Sequence, residues 1–507
     1  MRNTHRRPTS RNLTRRTFLH RVAAGAVGLI GVAAMKPTVA AAAKAAGAAA
    51  KKASRPNFVF ILADDLGWKD LGCQGSSFYD TPHLDSLAKT GTRFTNAYAA
   101  CPVCSPTRAS IMTGQYPARL HLTDFIGGGR NAKLITPKFL DHLPLEHVTV
   151  ADALKGAGYA TFFAGKWHLG RKGFWPENQG FDINMGGNDR GGPYGGNKYF
   201  SPYGNPCLPD GPPGEHLPDR LAIETCKFIE AHKDEPFLAY LSYYSVHTPL
   251  MAREDLQKKY EQRREERKLQ DTWGEEGQRK VRLVQSHAIY GGMVEAMDQG
   301  VGKVLATLDK LNLADNTVVI FMSDNGGLST SEGHPTCNLP LRAGKGWLYE
   351  GGIREPMIIR WPGQTKNGSV CDEPVTSTDF YPTMLEMADL PANPDQHRDG
   401  VSLTALLKKP NSKLPDRAIF WHYPHYGNQG GSPGGAVRVG DFKLIEFYED
   451  NHLELYNLAK DIGEKKNLAA EMPEKAAELR KKLDDWRKSV KADMPKPNPN
   501  HRPRKRR

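Results

Sequence analysis

The chain is short of cysteine, with seven in 507 residues. That density excludes a disulfide-scaffolded small protein, and the odd count leaves at least one thiol unpaired within the chain. There is no second Cys/His pair at ligand spacing to complete Cys101-Pro-Val-Cys104 as a zinc site, and a thioredoxin-like unit would be far smaller than this chain. Long apolar runs are lacking too. The most continuous one, "VAAGAVGLIGVAAM" at 22–35, has fourteen residues, against the roughly 20 that a membrane-spanning helix needs. Acidic residues are missing from both ends. Residues 1–55 carry twelve Lys/Arg and no Asp/Glu, and residues 495–507 carry six and none. The body from 56 to 494 then holds 51 basic and 56 acidic residues, a net charge of −5 beneath the overall +13. Basicity confined to the ends argues against nucleic-acid binding by the folded body.

What is present begins with the N-terminal charge. "LTRRTFLHR" precedes the apolar run, and Arg15-Arg16 followed by Phe18-Leu19 resembles a twin-arginine export signal. A membrane anchor is the alternative. Small residues after Val39 offer cleavage sites. The expected organisation is a signal over 1–42, a linker over 43–55, a large domain over 56–414, a subdomain over 415–494 and a basic disordered tail over 495–507. Export by the twin-arginine machinery would place the folded protein in the periplasm or outside the cell.

Several short apolar runs stop abruptly at polar residues: "NFVFILADDLGW" at Asp64-Asp65, "TVVIFMSDNGG" at Asp324-Asn325, "YATFFAGKWHLG" at Lys166 and His168, and "PFLAYLSYYSVHTP" near His247, with "PMIIRWPG" as a fifth. Continuous apolar runs read as strands buried on both faces. Helical patterns lie between them, as in "TPHLDSLAKTG", with Thr81 as cap, Pro82 in the first turn and Gly91 as stop. The expected fold is α/β, with a large mixed, mostly parallel sheet flanked by helices. In such sheets ligands sit beyond the carboxyl ends of the strands, so these polar residues can converge. From about residue 415, short alternating strands and then "MPEKAAELRKKLDDWRKSV" predict a smaller antiparallel sheet and a helix. The mixed-charge segment "EDLQKKYEQRREERKLQDTWGEEGQRK" reads as a solvated helix or insertion without a function of its own. The Gly/Pro/Asn-rich stretch 184–218 reads as a long surface loop that shapes access to a site.

Asp64, Asp65, Asp324 and Asn325 offer only oxygen ligands, which suit Ca²⁺ or Mg²⁺ rather than zinc. Turn and cap residues are the plainer alternative for either pair taken alone. Lys166, His168, His247 and Arg108 bring cations and proton donors to the same edge. "SPTRASIMTG" predicts a helix with Pro106 in its first turn and Gly114 as its end, which sets Cys104 at a helix N-terminus. That setting favours an anion and predicts a lowered thiol pKa. Together these residues suit an oxyanion ester, sulfate or phosphate.

Cys104-Ser105-Pro106-Thr107-Arg108, continued by "ASIMTGQYPARL", matches the Cys/Ser-x-Pro-x-Arg signature, and the chain resembles the type I sulfatases. "ILADDLGW", "GKWHLG", "YSVHTP", "SDNGG", "RAGKGWLYEGGIREP" and "ELYNLAKDIGEKKNL" extend the resemblance from about residue 56 to 490. The resemblance implies an alkaline phosphatase-like fold and conversion of Cys104 to Cα-formylglycine by a formylglycine-generating or anaerobic sulfatase-maturating enzyme. It implies one Ca²⁺ held by Asp64, Asp65, Asp324, Asn325 and residue 104. Arg108 would stabilise the hydrated aldehyde, one hydroxyl of which attacks sulfur. Lys166, His168, His247 and Lys345 would contact the sulfate or the bridging oxygen, with His247 or Lys345 protonating the leaving alcohol and His168 taking a proton from the second hydroxyl. The expected substrate is a sulfated carbohydrate, with His422 and His425 as candidate sugar contacts or, equally, buried structural histidines. A phosphodiesterase or phosphonate hydrolase on the same fold, and a non-catalytic glycan-binding protein, are the alternatives.

Overall fold

A computed structural model describes residues 55–502. The signal expected over 1–42, most of the 43–55 linker and residues 503–507 lie outside the described residues. The large sheet has nine strands: β1 (Asn57–Ala63), β2 (Thr92–Tyr98), β3 (Ala160–Gly165), β4 (Ile183–Met185), β5 (Phe237–Ser242), β6 (Thr317–Ser323), β7 (Arg354–Arg360), β8 (Ser369–Cys371) and β9 (Val375–Thr376). Their spatial order is β8-β2-β7-β6-β1-β5-β3-β4, with β9 also on β2. The central strands β1, β3, β5 and β6 are buried along almost their whole lengths, which is why they read as unbroken apolar runs.

The fifth run departs from expectation. Strand β7 is antiparallel to both of its neighbours, β2 and β6. Its closing Arg360 therefore points to the far edge, and its first residues, Arg354 and Glu355, lie at the edge where the other strands end. An apolar run carries no sign of strand direction. All the other pairings in this sheet are parallel.

Helices cover both faces. Leu84, Leu221, Tyr260 and Val301, from four helices, pack with Val59, Ile61 and Phe321 on one side. Ile111, Leu154, Met384 and Leu406 pack with Phe60, Leu62 and Ile320 on the other. Thr81 stands at the expected cap, but its hydroxyl accepts from Gly72 N (2.8 Å) and donates to Asp85 (3.1 Å) rather than capping the helix.

The smaller sheet contains β10 (Ala418–Tyr423), β11 (Gly434–Val439), β12 (Phe442–Phe447) and β13 (Leu453–Asn457), all antiparallel, with the helix Pro473–Ser489 against one face. A buried ion cluster welds this layer to the large sheet. Lys443 Nζ lies 2.9 Å from both Glu350 and Glu464, and Glu350 also bonds Tyr98 and Arg354. Part of the stretch expected as disordered tail makes contacts with the body. Lys496–Pro497 pairs with Leu134–Ile135, and Asn498 Nδ2 donates to Ala132 O at 2.7 Å. Pro495 and Pro497 hold this backbone extended, which leaves Lys496 free to pair along an edge. Among the described residues, no helix is long and apolar enough to cross a membrane.

Candidate active site

Four parallel strand ends and two loops build the site. Asp64 and Asp65 follow β1, Lys166 and His168 follow β3, His247 lies five residues past β5, and Asp324 and Asn325 follow β6. Cys104 opens the helix Cys104–Thr113, six residues beyond β2, and Arg108 is one turn further on. Lys345 comes from the loop before β7. Sequence separation is large, but all ten residues are buried at one edge, none more than 7% exposed. Asp65 and His168 hold left-handed backbone (φ 62° and 55°), a conformation that ordinary residues keep where their surroundings impose it.

Charge alternates across the cluster. Lys166 Nζ donates to Asp64 Oδ2 at 2.7 Å, and Lys345 Nζ sits 2.6 and 2.8 Å from the two oxygens of Asp65. Arg108 places Nε and Nη2 on Asp324 Oδ2 at 2.8 and 2.7 Å, and its Nη1 donates to Lys166 O and Ser242 Oγ. No motif marks Ser242, which tethers Arg108 from the last position of β5. Cys104 Sγ lies 3.3 Å from His168 Nδ1, while His168 Nε2 donates to Ile126 O at 3.0 Å. His247 Nδ1 donates to Thr248 O at 2.7 Å, which turns Nε2 toward Asp65, 3.8 Å away.

Burial works against ionisation of Asp65, but Lys345, His247 and Lys166 outweigh it and hold this carboxyl below its usual range. Burial instead wins at Asp64 and raises it, despite Lys166 and Arg108. Burial pushes His247 down to about 4, helped by Lys345, and carries His168 well below its ordinary value, helped by Lys166. At both positions the surroundings favour the neutral imidazole. The Cys104 thiol is raised, not lowered as its helix position predicts. Burial is the larger effect, and Lys166 and Lys345 offset only part of it.

Asp64, Asp65 and Asp324 present oxygens within 4.8 Å of one another. Asp64 Oδ1 and Asn325 Oδ1 are buried without a hydrogen-bond partner. Buried orphan oxygens are costly unless something satisfies them. An all-oxygen set of this kind fits a hard divalent cation. Three carboxylates face three permanent cations here, so a bound divalent ion would leave the site net positive and ready for an anion.

Two sugar-contact candidates fall elsewhere. His422 is buried between Tyr448 OH (2.8 Å, on Nδ1) and the Asp493 carbonyl (3.0 Å, on Nε2), so both ring nitrogens are engaged internally. His425 is fully buried, with Nε2 on Thr123 Oγ1 at 2.7 Å. Neither joins the cation cluster. The supposedly idle charged insertion forms the helix Glu254–Glu266 and the hairpin 273–282, and that hairpin braces the rim. Arg282 donates from its backbone to Ser329 O and from its side chain to His334 O, and Arg279 donates to Asn428 O. The 184–218 stretch is loop but not all surface. Asn188 and Tyr199 are fully buried, and a Cβ on Gly191 would come 2.6 Å from the His168 ring.

An acidic, metal-fitting cluster ringed by cations at the carboxyl edge of an α/β sheet defines a hydrolase of oxyanion esters. The sulfatase profile matches residues 56–390, and that of the N-sulphoglucosamine sulphohydrolase C-terminal region matches residues 343–489. The chain is 33% identical to a sulfatase of Formosa agariphila, over 85% of this chain and 88% of that one. It is also 33% identical to human arylsulfatase A, over 82% and 83% of the two chains. The solved structure of Ps i-CgsB in complex with k-i-k-neocarrahexaose superposes with a TM-score of 0.71 at 29% identity, covering 85% of this chain and 93% of that one. The chain belongs to the sulfatase family and is a sulfuric ester hydrolase with the alkaline phosphatase-like fold.

Proposed function

We propose that the protein removes sulfate from a sulfated carbohydrate, with residue 104, converted from cysteine to Cα-formylglycine, as nucleophile. The contact between Cys104 Sγ and His168 Nδ1, at the centre of the cation cluster, carries this reading. With Nε2–H committed to Ile126 O, His168 offers its Nδ1 lone pair to a proton on residue 104. Lys166 and Lys345 are placed to take up charge on the sulfate oxygens, the kind of electrostatic term that usually dominates such catalysis. Lys345 Nζ protonates the departing alcohol; His247, whose proton sits on Nδ1, turns the Nε2 lone pair into the site and donates from there only after taking up a proton. Asp64, Asp65, Asp324 and Asn325 would hold one Ca²⁺, with residue 104 beside them. When bound, the ion would lower the pKa of the attacking oxygen and neutralise sulfate charge. Arg108 locks the helix that carries residue 104 to Asp324.

The neocarrahexaose bound by Ps i-CgsB supports a sulfated polysaccharide or its oligosaccharides as substrate. Maturation would fall to a formylglycine-generating or anaerobic sulfatase-maturating enzyme. The twin-arginine-type segment supports a periplasmic or extracellular site of action. Sulfate release from a panel of defined carrageenan and glycosaminoglycan oligosaccharides tests the proposal. Faster turnover of aryl phosphate diesters or phosphonates than of every sulfate ester would refute it.

A further inference from the structure

Beside the cation cluster lies a carboxylate that the reaction does not use. Glu332 sits in a turn in which Glu332, Gly333 and His334 all take left-handed backbone (φ 51°, 91° and 48°). One of its oxygens comes within 4.8 Å of donor atoms on both His247 and Asp65. Its Oε1 accepts two 2.7 Å bonds, from Asn428 Nδ2 and Gln429 Nε2 of the C-terminal subdomain. Among the described residues no hydrogen bond reaches Oε2. Asp65 and Lys345 are buried, whereas Glu332 is partly exposed, so it stands at the rim where a substrate enters. The turn is held from behind by Arg282 and the Asn428 loop by Arg279, so the carboxylate does not swing freely.

A sulfate seated among Lys166, Lys345 and His247 would put the ester-bearing end of its substrate within reach of this rim, since one Glu332 oxygen lies within 4.8 Å of a His247 ring nitrogen. A fixed negative charge there opposes a second anionic substituent, and a free carboxylate oxygen accepts a hydrogen bond from a hydroxyl. We propose that Glu332 is a specificity-determining residue. It admits esters whose neighbouring carbon bears a free hydroxyl and rejects those whose neighbour bears sulfate or carboxylate. The inference rests on the sulfate-ester reading above, for which hydrolysis of phenyl sulfate by the matured wild-type enzyme is the control.

The test uses matured wild-type and E332Q enzymes on 2-hydroxyphenyl sulfate and 2-carboxyphenyl sulfate, which present the two neighbours on one ring. The amide oxygen introduced by E332Q can still accept from Asn428 and Gln429, but the side chain carries no charge. The ratio of kcat/KM for the hydroxyl over the carboxylate ester should fall by about tenfold or more in E332Q, the usual scale for removing a repulsive contact. Because the ratio is internal to each enzyme, any loss of active protein cancels. An unchanged ratio overturns the proposal, even if both rates drop, since that is the mark of a purely structural clasp. Should E332Q prove inactive, E332D, which withdraws the carboxylate by one methylene, should also lower the ratio. An unchanged ratio in E332D, or loss of all turnover in both variants, overturns the proposal as well, because Glu332 would then belong to the chemistry or the framework.

Discussion

Cys104 Sγ and His168 Nδ1 face each other at 3.3 Å, and the far nitrogen of that imidazole is pinned to the Ile126 carbonyl. The ring cannot turn away from residue 104 without breaking the second bond. Cys104→Ala should therefore abolish sulfate release. Cys101→Ala, at a buried site on the neighbouring core, should keep activity while losing about 1 kcal/mol of stability, as small core truncations do. Peptide mass spectrometry of active protein should find an aldehyde at residue 104. An intact thiol in fully active enzyme would defeat the assignment.

Gly191→Val should cripple the same pair from the other side. A Cβ there falls 2.6 Å from His168 Cε1, so the ring must shift. Displacing a catalytic group by about 1 Å is worth roughly a hundredfold in rate. The expected result is a kcat loss of that order with an unchanged unfolding temperature, measured on an aryl sulfate.

Chelation should inactivate the enzyme and lower its unfolding temperature, with Ca²⁺ restoring both and Zn²⁺ neither. Elemental analysis should give about one hard divalent ion per chain, as an all-oxygen set demands. Asp324→Ala should remove the ion and strand Arg108 without its partner, at a cost of about 3–5 kcal/mol for a broken buried pair. Activity that followed zinc content would contradict this.

His422 gives the fold a pH dependence. Burial depresses its pKa from 6.5 to about 4. Between those values the unfolded chain binds a proton that the folded protein refuses, so stability falls as pH drops through that window and is whole above it. The loss should be on the order of 3 kcal/mol at pH 4. His422→Gln should be less stable at pH 7.5 and show a flatter decline from pH 6.5 to 4 in thermal unfolding. A rise in KM for glycans at undiminished stability would instead mark His422 as a sugar contact.

Lys443→Met should destabilise the joint between the two sheets, since it leaves Glu350 and Glu464 buried without their shared cation. The expected cost is about 3–5 kcal/mol, read as a drop in unfolding temperature.

The polar ends of β1, β3 and β6 are legible in sequence because a buried parallel strand must stop where its chain meets solvent or ligand, and each stops at a charged residue, whereas His247 comes five residues past the end of β5. The helix from Cys104 to Gly114 is legible from its proline and glycine. Strand β7 is not, because an apolar run looks the same in either direction. Glu332 lies in a stretch of Ser, Thr and Gly with no periodicity, so nothing marks its approach to His247. The rise of the Cys104 thiol is hidden because a helix N-terminus is visible in sequence whereas complete desolvation is not. His422 stays open in sequence between a sugar contact and a buried structural histidine because its partners, Tyr448 and Asp493, are distant in sequence.

Cys104 is 3% exposed in the finished fold, and Asp324, which locks Arg108 of the same helix, follows Arg108 by 216 residues. At a synthesis rate of about 5–20 residues per second, roughly 10–40 s pass between the emergence of the two. If residue 104 is converted as proposed, the converting enzyme would have to act within that interval or on a chain not yet closed; the supply of active protein would then be set by a race between modification and folding, which a slower ribosome would tilt toward the modified product.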